Sequence, residues 1–162
     1  MANKRQTILG LDPGYGRLGF GIVQVTKGEA TCLGCGVITT AKERTHAARL
    51  QELAQDIRAL IRKFSPTVVA VETLFFAKSV TTALKVAEVR GVILLLAEEA
   101  GLEIVEVRPN EVKMALTGYG KADKRQMQSM ITKVLGLPSV PKPDDAADAL
   151  AIAWTAAGKA KF

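Results

Sequence analysis

The sequence predicts an α/β fold, a five-stranded mixed β-sheet flanked by α-helices. Three observations carry that expectation. The first forty residues hold three strand-like apolar runs separated by tight turns. From residue 50 onward, stretches of helical periodicity alternate with short, continuously apolar runs, the pattern of buried parallel strands joined by crossover helices. The chain then closes in helices. At 162 residues, 48% of them apolar, it is long enough for a single domain over 1–162 with a sizeable core.

The elements follow in order. Thr7 to Asp12 is the first strand, ended by Pro13-Gly14-Tyr15-Gly16. Leu18 to Thr26 is the second, and the Lys27-Gly28 turn leads into a third from Glu29 to Thr40. Connections this short imply antiparallel hairpins. Leu50, Leu53, Ala54, Ile57, Leu60, Ile61 and Phe64 are spaced as one face of an amphipathic helix, with Pro66 as its stop and His46 as an entry residue. Val68-Val69-Ala70-Val71 is a buried strand. A second helix is expected from Val80 to Ala100, where Gly101 ends it, and its Val92–Leu96 run predicts burial on several sides. Leu102 to Val107 is the fifth strand. Pro109 opens a short helix, Asp123 caps one from Lys124 to Leu135, and the last runs from Asp144 to Ala157 behind three prolines, with Asp144 as its plain cap.

Charge and composition narrow the function. The chain carries a net charge of +6, and the stretch from Arg108 to Lys142 alone holds seven Lys/Arg against Glu111 and Asp123. Such a basic region points to a polyanion. No apolar run approaches the ~20 residues of a membrane helix. The basic N-terminus leads into a Gly-broken strand, unlike a signal peptide, so the expected location is cytoplasmic. Cys32 and Cys35 make a lone C-x-x-C with a single histidine elsewhere, too few ligands for zinc. Three apart on a strand, they are expected to face opposite ways as small core residues.

The chemistry lies in four acids. Asp12 follows Ile8-Leu9-Gly10-Leu11, and Glu72 follows Val68–Val71, so both sit at strand carboxyl ends, where α/β sheets bind ligands. They meet if the first and fourth strands lie side by side. Asp145 and Asp148 share one face of the last helix and can be delivered to the same place. Carboxylates brought together repel unless a cation binds them or a proton is retained. Oxygen-only ligands suit Mg²⁺ or Mn²⁺. Beside a basic region, such a site fits hydrolysis of a phosphodiester by two metals ~3.5–4 Å apart, leaving a 5′-phosphate and a 3′-hydroxyl. Phe75 and Phe76 follow Glu72 closely; aromatics there could stack on bases, although a Phe pair is more often core.

Leu9-Gly10-Leu11-Asp12-Pro13-Gly14, Glu72-Thr73-Leu74-Phe75 and Asp145-Ala146-Ala147-Asp148-Ala149-Leu150-Ala151 resemble the three signature segments of the RuvC family of crossover (Holliday) junction endodeoxyribonucleases. Ala83-Leu84-Lys85, Arg90-Gly91-Val92, Lys113 and Lys124 extend the likeness over nearly the whole chain, with Ser79 where the family usually has Asn and Thr82 where Ser is common. The resemblance implies a ribonuclease H-like fold and a homodimer that nicks opposed strands of a four-way DNA junction in homologous recombination and DNA repair. By the same likeness Asp12, Glu72, Asp145 and Asp148 hold two divalent cations, and Lys113 and Lys124 contact the DNA backbone. Lys78 adds a DNA contact and Phe75 wedges against bases at the crossover. The branch-migration proteins RuvA and RuvB are the implied partners.

Three other readings stand beside it. A ribonuclease cutting RNA–DNA hybrids would use the same acids without needing a dimer. An actin-like kinase needs a second lobe that this length does not supply. A structure-selective DNA-binding protein would use its acids only as caps and would not cut.

Overall fold

A computed structural model describes residues 4–14, 16–73 and 79–160. The order is β1 (Gln6–Pro13), β2 (Arg17–Thr26), β3 (Glu29–Thr39), α1 (His46–Phe64), β4 (Val68–Glu72), α2 (Val80–Glu99), β5 (Glu103–Val107), α3 (Pro109–Thr117), α4 (Lys124–Val134) and α5 (Asp144–Ala157). The strands form one sheet in the order β3-β2-β1-β4-β5. β1, β2 and β3 pair as antiparallel hairpins, while β4 joins β1, and β5 joins β4, in parallel. The mixed five-stranded sheet and every element are as the sequence predicts.

The central strands explain the topology. Ile8, Leu9 and Leu11 of β1 and Ala70 and Val71 of β4 are wholly buried, because both faces of the sheet are covered. On one face Leu9, Leu11, Val69 and Val71 pack with Leu53 and Ile57 of α1 and Val89, Ile93 and Leu96 of α2. On the other, Ile8, Val68 and Ala70 pack with Val112, Ile131 and the alanine-rich α5.

α5 lies unusually close to the sheet. A Cβ placed on Gly10, Gly19 or Gly21 would overlap the Ala149 oxygen, the Asp145 oxygen or the Leu150 backbone respectively. Glycines on β1 and β2 thus form a floor on which the small side chains Ala146, Ala149 and Ala153 let the helix backbone rest directly.

As expected, α1 runs to Phe64 and stops ahead of Pro66, where Ser65 adopts a left-handed conformation (φ 45°) and its N–H donates to the Ile61 carbonyl. Three local expectations are corrected. The apolar run of α2 is not buried all round: Ile93 and Leu96 are, but Leu95 is 58% exposed, since only one flank of the helix meets the sheet. Asp144 is no cap. Pro143 holds the N-cap position, and Asp144 lies in the first turn, accepting a hydrogen bond from the Gln128 side chain at 3.2 Å. Finally, Cys32 and Cys35 do not face opposite ways. The register of β3 slips by one residue at Leu33, which puts the two on one face, and Cys35 is exposed.

Candidate nuclease active site

The parallel register of β1 and β4 runs through Leu11 opposite Val71, so the next residues along, Asp12 and Glu72, are neighbours at the carboxyl edge of the sheet. α5 begins above the same edge. Because its backbone at Asp145 rests on Gly19, which pairs with Asp12 across β1 and β2, the first turn of the helix has little freedom to move away. The outcome is a cluster in which carboxylate oxygens of Asp12, Asp145 and Asp148 lie within 4.8 Å of one another. Glu72 lies outside that triad but lines the same 310 Å³ cleft, together with Asp12, Asp148, Lys113, Lys124, Pro109 and Met127.

The two lysines are brought in by helix caps. Pro109 starts α3, and the Arg108 N–H donates to Glu111 at 2.7 Å, which sets Lys113 one turn further on. At α4, Asp123 accepts from the Gln126 N–H at 2.8 Å and Gln126 accepts from the Asp123 N–H at 2.9 Å. This reciprocal capping box fixes the first residue of the helix, Lys124. The Lys124 ammonium is 3.4 Å from both Asp144 and Asp148. Arg17, the first residue of β2, reaches Asp145 at 2.8 Å.

Electrostatics follow from burial and crowding. Burial, then the charges of Asp148, Glu72 and Asp145, push the Asp12 carboxyl up to about 7, with Lys124 opposing them. Glu72 is raised by burial and by Asp148, and Lys113 pulls it back. Asp148 is raised chiefly by burial, with Lys124 pulling against it. Burial alone would lower Lys124, yet Asp148 and Asp144 hold it above the usual range. The cleft has more negative charge than its own cations neutralise. An all-carboxylate donor set in that condition fits a hard divalent cation, whose charge would restore Asp12 to its ionised form.

The chain as a whole is similar to known proteins. The family model for the crossover junction endodeoxyribonuclease RuvC matches residues 8–156, from β1 through α5. The chain belongs to the RuvC family. The RuvC of Roseiflexus sp. (strain RS-1) is 50% identical over 145 residues, covering 90% of this chain and 86% of the relative. That of Thermosipho melanesiensis is 45% identical over 155 residues, covering 96% and 99%. Thermus thermophilus RuvC, solved in complex with a Holliday junction substrate, superposes with a TM-score of 0.89 at 36% identity, over 94% of this chain and 93% of that one. The fold is therefore the ribonuclease H-like fold of RuvC, as the signature segments imply.

Of the site residues expected from the sequence, the RuvC-like cleft collects Asp12, Glu72, Asp145, Asp148, Lys113 and Lys124. Phe75 and Lys78 lie outside the described residues. Sequence reasoning missed Arg17 and the ionic role of Asp144. A single arginine at a strand start carries no signal. Asp144 was hidden by its resemblance to an ordinary helix cap. The glycine floor, by contrast, had a legible signal, Gly19-x-Gly21 on a strand paired with a helix of six buried alanines.

Proposed function

We propose that this chain is a metal-dependent crossover junction endodeoxyribonuclease that resolves four-way DNA junctions in homologous recombination and DNA repair. The observation that carries this reading is the Asp12–Asp145–Asp148 cluster, with Glu72 beside it, at the carboxyl edge of a RuvC-family sheet. The four acids hold two Mg²⁺ ions, which Mn²⁺ can replace. When bound, such a pair lowers the pKa of the attacking water and stabilises the departing oxygen of a phosphodiester.

The protein's own part is placement. α5, seated on Gly10, Gly19 and Gly21, holds Asp145 and Asp148 rigidly against Asp12. Lys113 on α3 and Lys124 at the start of α4, both lining the cleft, draw the phosphate backbone toward the acids. No side chain need form a covalent intermediate: water attacks, and the products carry a 5′-phosphate and a 3′-hydroxyl. Phe75 and Lys78, directly after the Glu72 strand, engage the bases and backbone at the crossover.

Symmetric nicking of opposed strands needs two such clefts related by a two-fold axis, so the working unit is a homodimer. α2 supplies its interface. Val80, Leu84 and Leu95 are 71%, 54% and 58% exposed and recur at helical spacing with Gly91 on one face of that helix. The enzyme works in the cytoplasm alongside RuvA and RuvB. Among the described residues no helix is long and apolar enough to cross a membrane.

Product chemistry tests the mechanism. Nicks made symmetrically in a labelled junction are expected to be resealed by DNA ligase without prior end treatment, which requires a 5′-phosphate facing a 3′-hydroxyl. Nicks that ligase cannot close unless the ends are first repaired would rule out this hydrolytic route.

A further inference from the structure

The two cysteines lie outside the acidic cleft and outside the function proposed for it. On a regular strand, residues three apart face opposite sides. β3 is not regular here: Cys32 pairs with Val23 while Gly34 pairs with Ile22, so Leu33 is the extra residue of a β-bulge. Beyond the bulge Cys35 pairs with Gly21. Val23 and Gly21 are two apart on β2 and share a face, the one toward α5: Val23 belongs to that core, and a Cβ on Gly21 would run into Leu150. Cys32 and Cys35 are therefore side by side, and each thiol feels the other. Their partners Val23 and Gly21, two apart on β2, stand about 6.6–6.8 Å apart at Cα, which sets the spacing of the cysteines opposite them near the upper end of the roughly 4.4–6.8 Å that a disulfide spans.

Their surroundings divide the roles. Cys32 is half-buried against the α5 core, whereas Cys35 is exposed, its cross-strand partner Gly21 having no side chain to cover it. Burial pushes both thiols above their usual range. High-pKa thiols are poor leaving groups, so a disulfide between them resists reduction once made.

We propose that Cys32 and Cys35 form a redox-active dithiol that a low-molecular-weight disulfide converts into an intrachain disulfide. Cys35, as the thiolate, attacks one sulfur of the reagent; a Cys35–reagent S–S bond forms, the reagent's own S–S bond breaks, and one small thiol leaves with a proton. Cys32, as the thiolate, then attacks the Cys35 sulfur, and the second small thiol leaves. In sum the protein pair gives up two electrons and two protons, and the reagent takes them up as two thiols. The product staples the bulge of edge strand β3 across its α5 side.

The test is oxidation of the full chain with excess oxidised glutathione, followed by alkylation of the remaining thiols, intact-mass measurement and a non-reducing denaturing gel. The expected product has lost two hydrogens, takes up no alkylating agent, carries no glutathione and migrates as a monomer. Cys32→Ser is expected to stop at a stable glutathione adduct on Cys35. A wild-type chain that retains glutathione, stays fully alkylatable, or appears as a cross-linked dimer would overturn the proposal.

Discussion

Asp12 stands at the centre of the cleft's charge, and its behaviour gives the sharpest predictions at the scale of single residues. Its carboxyl is raised from 3.8 to about 7, so in the metal-free protein it retains a proton at mildly acid pH that the unfolded chain has lost. Between about pH 4 and 7 the folded state binds more protons than the unfolded state, and stability must fall as pH rises. The full shift corresponds to roughly 4 kcal/mol across that window. Thermal unfolding in EDTA is expected to show a lower Tm at pH 8 than at pH 5, with the slope much reduced in Asp12→Asn. A metal-free protein equally stable at both pH values would show that Asp12 is not perturbed. Metal competes with that proton, so cleavage should rise with pH through about 7. Removing the carboxylates has a separate signature. Asp12→Asn or Asp148→Asn should lower the cleavage rate at least ~10³-fold while leaving junction binding within a few-fold, because the acids serve the reaction rather than the grip on DNA. Full activity in either variant would remove that residue from the site.

At the scale of elements, α5 connects folding to chemistry. Its first turn is held by contact with a strand that has no side chain at Gly19, so Gly19→Ala should force the Asp145 backbone outward. The expected cost is at least ~1–3 kcal/mol of stability, together with weaker divalent-ion binding in calorimetry. Unchanged metal affinity would separate the glycine floor from the site. The same level shows why parts of the molecule were legible in its sequence and parts were not. Strands such as Val68–Val71 and the helix from Leu50 to Phe64 declare themselves because burial imposes a period on the sequence. The acids declare themselves because a carboxylate ending a buried apolar run is costly without a purpose. The Leu33 bulge does not, since one inserted residue leaves no mark in composition yet turns Cys35 to the other face. Leu95 was misjudged for a related reason: an apolar run does not say whether the covering surface belongs to the same chain. The Arg17–Asp145 pair depends on two elements meeting far apart in sequence, which no local pattern records.

The whole molecule places an acidic cleft among basic side chains, with an apolar stripe on the helix covering the opposite face of the sheet. If that stripe joins two copies, charges placed on it should separate them. Leu84→Glu combined with Leu95→Glu is expected to give monomers in size-exclusion chromatography with light scattering. The variant should lose paired nicking while its fold, measured by circular dichroism, is retained. Dimers that survive the double change would move the interface elsewhere. The central claim is more direct: a four-way junction is cut, and cut through bound metal. The measurement that decides it is cleavage of a labelled synthetic four-way junction, beside duplex DNA and an RNA–DNA hybrid, with Mg²⁺ or Mn²⁺ and with EDTA. Paired symmetric nicks confined to the junction and abolished by EDTA are the predicted result. Cutting of the hybrid in preference to the junction, or tight junction binding without cutting under either metal, would contradict it.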